Sequence, residues 1–368
     1  MRVQIVDPSA FTPPYDRSLC AALARAGADV ELLTSRFLYG PVPEPEGYRV
    51  SEEFYRRTAA RGLDGPGRRA FKGAEHFGDM VRHRRRPSDA DLLHYQWLTL
   101  PSLDRRLLHP RRPRVYTAHH ILFREPGRAE RRRARRVMEQ FDTVVALSEH
   151  GAGRIREEVG LSGERVHVIP HGAFDYLTKV DAVPLPEELA AVSGPVILAF
   201  GLVREYKGTD VLLEAFREME GAELWIVGMP RIPLEPFREA AARCRGTVRF
   251  VPRFVPDREI PAYFRRADLV VLPYTHAEQS GVLYTGLAFG KPMVLSAVGG
   301  FPEVAAHGAA RLVRPGDPAA LAAALTELVE DEGARNRLGD AAATAAAGPY
   351  SWDSVAEQTM ALYRELLG

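Results

Sequence analysis

Short apolar runs alternate with segments of helical period along most of the chain, a pattern that predicts parallel sheets covered by helices. Residues 3–6 read as a first strand. Residues 16–26 carry apolar side chains at helical spacing, Gly27 stops them, and a second strand is expected at 30–33. Further strands are expected at 92–95, 114–117, 144–147 and 166–169. After the Pro-rich stretch 183–195 a second series follows at 196–200, 224–227, 248–251, 269–272, 293–296 and 310–313. The two series predict an α/β protein of two Rossmann-like, doubly wound parallel-sheet domains facing a cleft, residues 1–180 and 195–350, with a linker at about 175–195. A last helix is expected over 353–367, with Ser351 as its N-cap. The Pro/Glu-rich patch 41–47 and the basic stretch 61–86 read as an irregular excursion of the first domain.

Length supports this division, because 368 residues exceed what one hydrophobic core usually serves. Charge adds an asymmetry. The net formal charge is +1, yet residues 51–136 hold 22 Lys/Arg against 10 Asp/Glu. Such a distribution fits a first half that meets an anionic surface, and equally a set of solvated helix faces. Membrane lipid or a lipid-linked diphosphate is the partner considered; no nucleic-acid-binding module accompanies the basic residues, so nucleic acid is set aside. Cys20 and Cys244 lack metal-ligand spacing and read as unpaired thiols in a reducing compartment. With no charged leader before the first strand and no apolar run long enough to span a bilayer, the expectation is a cytoplasmic protein, peripheral at the inner face of the membrane if the basic half docks there.

In open α/β sheets ligands bind beyond the carboxyl ends of the strands, which directs attention to three loops of the second half. The first is Gly201-Leu202-Val203-Arg204-Glu205-Tyr206-Lys207-Gly208, with two cations and two glycines at a strand-to-helix turn. A diphosphate needs fixed positive charge, close backbone approach and free helical N–H groups, all of which this loop offers. The second runs Pro273-Tyr274-Thr275-His276-Ala277-Glu278-Gln279-Ser280-Gly281-Val282, and Ser280-Gly281 stand where a helix begins. The third is Gly299-Gly300-Phe301-Pro302-Glu303.

With these loops the chain resembles the family-4 retaining glycosyltransferases, the glycosyl transferases group 1 of GT-B fold. The resemblance rests on the order and spacing of blocks that include Thr117–His120, 147–150, 168–172, 200–208, 279–292 and 350–352. It implies a second domain that binds a nucleoside-diphosphate sugar, a first domain that holds a glycan, lipid-linked or small-molecule acceptor, and a final helix, 351–368, returning to the first domain. It also implies hexosyl transfer with retained anomeric configuration, no cofactor beyond the nucleotide-sugar co-substrate, and no metal. A donor diphosphate oxygen would take the acceptor's proton.

Carried onto this sequence, the resemblance makes Lys207 the diphosphate-binding lysine and His119 the active-site histidine. The family's arginine after the first glycine is replaced by Leu202, so Arg204 is the substitute, completing a catalytic set of His119, Arg204 and Lys207. Gly201, Glu278, Gln279, Ser280, Gly281, Val282 and Thr285 join Arg204 and Lys207 as donor-binding residues. The two glutamates that the family spaces eight positions apart fall at Ala277 and Thr285; Glu278 replaces the first if the turn is one residue shorter, and Thr285 is the candidate for a ribose hydroxyl. On the acceptor side the candidates are Tyr15, Asp16, His94, Gln96, Trp97 and His120. Ala10 and Phe11 occupy the places of the family's glycine pair. The missing glutamates motivate one rival, a nucleotide-sugar-binding relative without catalysis; another enzyme on the same fold, a sugar phosphorylase or epimerase, is the second.

Overall fold

The computed structural model describes residues 1–38, 40, 42–61, 67–122 and 126–368. It divides into two compact units: Met1–Gly172 together with Trp352–Gly368, and Ala173–Ser351. Pro41 and residues 62–66, parts of the two stretches read as irregular, lie outside the described residues.

Unit 1 is built on a seven-stranded parallel sheet. Its strands are β1 (Arg2–Asp7), β2 (Asp29–Ser35), β3 (Arg49–Phe54), β4 (Leu92–Tyr95), β5 (Arg114–Thr117), β6 (Thr143–Ala146) and β7 (Val166–Val168). They lie in the order β3-β2-β1-β4-β5-β6-β7. Unit 2 repeats the plan with β8 (Val196–Phe200), β9 (Glu223–Val227), β10 (Thr247–Val251), β11 (Leu269–Leu272), β12 (Met293–Ser296) and β13 (Ala310–Val313), in the order β10-β9-β8-β11-β12-β13. Central strands such as β4, β5, β6, β11 and β12 are buried along their whole length, as sheets covered by helices on both faces require. In each sheet the order reverses beside the first strand of the unit. The crevice of a doubly wound sheet therefore opens at the ends of β1 and β4 in unit 1, and of β8 and β11 in unit 2.

Two stretches differ from the sequence reading. The edge strand β3 lies between the two stretches read as irregular, where no strand was expected; its sequence, Arg-Val-Ser-Glu-Glu-Phe, buries only Phe54 fully and gives no alternating signal. The basic stretch contains a 19-residue helix, Gly67–Arg85, whose inward face is His76, Asp79, Met80 and His83. That spacing is helical, but three of the four side chains are polar, so hydrophobic periodicity cannot reveal it. The segment 175–195 is folded rather than extended: Leu185, Leu189 and Val192 pack into the unit 2 core, and Tyr176 donates a hydrogen bond to Asp257 at 2.8 Å.

The chain's last helix, Trp352–Leu367, belongs to unit 1 and packs on the helix Pro13–Arg25. Arg25 pairs with Asp353 at 2.7 Å. Trp352 fills the space beside Gly172, where a Cβ would come within 2.5 Å of the indole ring; only glycine fits there. Cys20 is buried and Cys244 partly buried, and both are free thiols.

Candidate active site

In unit 2 the two loops at the sheet reversal are held together by backbone that only glycine allows. Gly208 has φ 67°, and a Cβ there would lie 2.0 Å from the Pro273 carbonyl oxygen. The contact seats the loop after β8 against the loop after β11, and Thr275 N–H donates to the Tyr206 carbonyl at 2.9 Å across the same seam. The third loop is locked likewise: Gly299, at φ 53°, approaches the Ala277 carbonyl too closely for any side chain, and Gly300 N–H donates to the Glu278 carbonyl at 3.2 Å.

This backbone brings Lys207 over the ring of Tyr274, 4.0 Å from its centroid, with Nζ hydrogen-bonded to the Tyr274 hydroxyl. The same hydroxyl lies 3.1 Å from Ser280 Oγ. Ser280 directly precedes the helix Gly281–Ala288, whose first N–H groups have no partner within the helix. Gly201 closes the group: a Cβ there would stand 3.1 Å from Val282 and 3.8 Å from Lys207 Nζ. Gly201, Lys207, Ser280 and Val282 thus meet around Tyr274, and Gly281 is the next exposed position. Lys207 has no carboxylate partner among the described residues. Burial pushes its ammonium down to about 8, Tyr206 acts in the opposite direction, and the charge of Arg204 adds to the depression. Arg204 itself is exposed at the start of the turn.

Two of the donor-side candidates also bond within unit 2. The Thr285 hydroxyl donates to the Gly281 carbonyl at 2.9 Å from a buried position, which leaves only its lone pairs for a ribose hydroxyl. Gln279 turns its side-chain oxygen to the Tyr284 hydroxyl at 2.6 Å. Glu278 is partly buried, with its backbone engaged by Gly300.

In unit 1, β5 ends at Thr117 and places His119 beside two aromatic side chains. Trp97 is parallel to it, with ring centroids 5.0 Å apart, and Tyr15 meets it edge-on at 4.6 Å. Phe11, 66% exposed, packs against Trp97 with ring centroids 4.5 Å apart. The Trp97 indole N–H donates to Thr12 at 2.8 Å, which fixes the stack to the loop after β1. His119 Nε2 lies 3.0 Å from Gln96 Oε1, so Nε2 carries a hydrogen and donates it. Burial, followed by the charges of His171 and His94, holds the imidazole far below its ordinary range. His119 is therefore a neutral ring whose Nδ1 accepts a hydrogen bond. The Gln96 amide nitrogen is buried and finds no partner among the described residues. His120 is exposed beside this group.

Three acceptor-side candidates are internal. His94 bonds Tyr363 through Nδ1 and Thr117 through Nε2, both at 2.6 Å, and burial pushes it down to about 3; neither nitrogen remains for a ligand. Tyr15 is buried among His119, His171 and Trp352. Asp16 is buried against Asp7, and burial together with the Asp7 charge raises it well above the carboxylate range. Asp7 in turn receives the N–H groups of Ser9 at 3.1 Å and Phe11 at 2.5 Å, shaping the loop after β1. Asp16 and Tyr15 support the site from beneath.

Comparison with known proteins identifies the family. Residues 17–173 match the model of glycosyltransferase family 4, and residues 194–331 match that of glycosyl transferases group 1. The chain belongs to the family-4 glycosyltransferases. A D-inositol 3-phosphate glycosyltransferase of Xylanimonas cellulosilytica is 29% identical, over 95% of this chain and 90% of that protein. Among solved structures, sucrose-phosphate synthase of Thermosynechococcus elongatus aligns with TM-score 0.75 at 19% identity, covering 100% of this chain and 99% of that one. Anabaena Alr3699/HepE in complex with UDP-glucose aligns with TM-score 0.74 at 20% identity, over the whole of both chains. These likenesses show the GT-B fold.

Sequence reasoning missed two residues of this glycosyltransferase that the structure puts in plain contact with the candidates. Tyr274 links Lys207 to Ser280, and its only sequence signal was its place directly after β11 and Pro273. Phe11 extends the Trp97–His119 stack; a large aromatic where the family has glycine was the available clue.

Proposed function

We propose that this glycosyltransferase moves a hexosyl group from a nucleoside-diphosphate sugar to a hydroxyl of a glycan, lipid-linked or small-molecule acceptor, with retention and without a metal. One observation carries the reading. Lys207, Tyr274, Ser280 and the start of the helix Gly281–Ala288 converge at the sheet reversal of unit 2, with Gly201 leaving room for close approach. A cation, a serine hydroxyl and helical N–H groups suit a diphosphate. Arg204, exposed and electrostatically felt at Lys207, is suited to the charge that develops on the departing diphosphate. On the acceptor side, His119 Nδ1 accepts a hydrogen bond from a sugar hydroxyl, and the exposed face of Phe11 offers an apolar surface to a ring.

The test is a transfer assay with UDP-, GDP- and ADP-glucose and -mannose against methyl glycosides and myo-inositol, read by proton NMR. An α-linked product from an α-linked donor, unaffected by EDTA, is expected; a β-linked product overturns retention. Arg204→Ala should lower turnover by roughly 10²-fold or more. Turnover near that of the wild type would remove Arg204 from the mechanism. The missing glutamates, replaced by Ala277 and Thr285, favour one second reading, a relative that binds nucleotide sugars without transferring them. Tight donor binding with no product across the panel would favour it.

We further propose that unit 1 docks on anionic lipid through the helix Arg128–Met138, where Arg128, Arg131, Arg132, Arg133, Arg135 and Arg136 are all exposed. Among the described residues no helix is long and apolar enough to cross a membrane.

A further inference from the structure

Three loops of unit 2 meet at one buried ring. Tyr274 lies with its centroid 6.0 Å from that of Tyr206 in the loop after β8 and 5.4 Å from that of Phe301 in the loop after β12. Lys207, also of the loop after β8, stands over the same ring and donates to its hydroxyl. Within its own loop that hydroxyl reaches Ser280 Oγ at 3.1 Å. Phenylalanine would serve the ring contacts equally well, so the hydroxyl needs a separate account.

Ser280 poses the complementary question. It holds the N-cap position of the eight-residue helix Gly281–Ala288, where a serine oxygen ordinarily accepts an N–H of the first turn. Here the side chain makes no capping bond, and the hydroxyl is turned to Tyr274 instead. The stabilisation that a cap supplies is forgone, and the N–H groups that Ser280 leaves uncapped remain for an anion.

Hydrogen-bond chemistry gives the three groups a direction. An ammonium donates and cannot accept, so Lys207 occupies a lone pair of the Tyr274 oxygen. Among the described residues Ser280 Oγ is then the one acceptor left to the Tyr274 proton; were Ser280 to donate instead, a buried phenol proton would go unmatched, at a cost that burial makes high. Ser280 therefore accepts from Tyr274, and its own proton stays outside this sequence of bonds. We propose that Tyr274 is a positioning residue that takes its direction from Lys207 and holds Ser280 as a hydroxyl donor to the diphosphate, an inference that rests on the nucleotide-sugar reading of unit 2. Each bond from Lys207 to Tyr274 to Ser280 polarises the next, so the ammonium charge strengthens the serine donor. Lys207 and Ser280 meet the anion directly, and Tyr274 acts through them.

The test is a double-mutant cycle on the full chain: wild type, Ser280→Ala, Tyr274→Phe and the two combined, titrated calorimetrically with UDP, GDP and ADP, with chemical denaturation reporting the fold. Ser280→Ala should weaken the nucleotide that the wild type binds by about tenfold, the loss expected for a hydrogen bond to a charged group. In the Tyr274→Phe background the same change should cost no more than about threefold. A ratio that is equal in the two backgrounds, as a purely packing role for Tyr274 requires, overturns the positioning role while leaving donor binding standing; a Ser280→Ala ratio near one in the wild type does the same. Should Tyr274→Phe fail to fold, Lys207→Met is the second background. The Ser280→Ala ratio should fall there too, and an undiminished ratio overturns the inference. A wild type that binds none of the three nucleotides overturns the donor reading and this role with it.

Discussion

Lys207 concentrates the electrostatics of the donor side. Burial, the larger cause, and Arg204 bring its ammonium down to about 8. The cation binds a diphosphate and the free amine does not, so nucleoside-diphosphate affinity should be level below that pH and fall by up to roughly tenfold per unit above it. Calorimetric titrations of UDP and GDP across that range check this, and an affinity independent of pH would remove Lys207 from the contact. His119 gives the opposite pattern. Its imidazole is already neutral through the ordinary histidine range, so turnover should show no acid limb that His119→Ala abolishes, while kcat in that variant should drop by about 10²-fold. The residue types of both positions were legible in the sequence as cations or rings at strand ends. Their states were not, because charge and tautomer depend on burial and on partners such as Gln96 and Tyr274 that come from other strands.

Strand positions and loop placement were more legible, for a physical reason. Strands buried on both faces must be continuous apolar runs, so β4, β5, β6, β11 and β12 announced themselves, and the loops after them followed. β3 and the helix Gly67–Arg85 were not legible, since the first is a polar edge and the second buries histidines and an aspartate whose partners include Tyr55, Asp104 and Tyr95 from elsewhere in the chain. At this scale the junction at Gly208 makes a sharp prediction. Gly208→Ala places a methyl group 2.0 Å from the Pro273 carbonyl in left-handed backbone, so the loops must part. A loss exceeding about 1 kcal/mol in chemical denaturation is expected, together with weakened nucleotide binding. The Arg128–Met138 helix makes another. Replacing Arg132, Arg133 and Arg136 by glutamine should abolish cosedimentation with phosphatidylserine vesicles at low salt; binding that is unchanged, or absent in the wild type, would end the lipid proposal.

Across the whole molecule the two units share one strand order and divide the chemistry. Unit 2 gathers lysine, serine, glycine and helical N–H groups, and unit 1 gathers neutral rings and hydroxyls. Under the proposed function, diphosphate recognition belongs to unit 2 and acceptor-hydroxyl recognition to unit 1. The account stands on the first of these assignments. Isothermal titration of UDP, GDP and ADP into wild type, Lys207→Ala and Tyr274→Phe tests it directly. At least one nucleotide should bind the wild type, and the same nucleotide should bind Lys207→Ala at least about tenfold more weakly, the loss expected for one charge-assisted hydrogen bond. Equal affinity in the wild type and Lys207→Ala, with both proteins folded, would contradict the account.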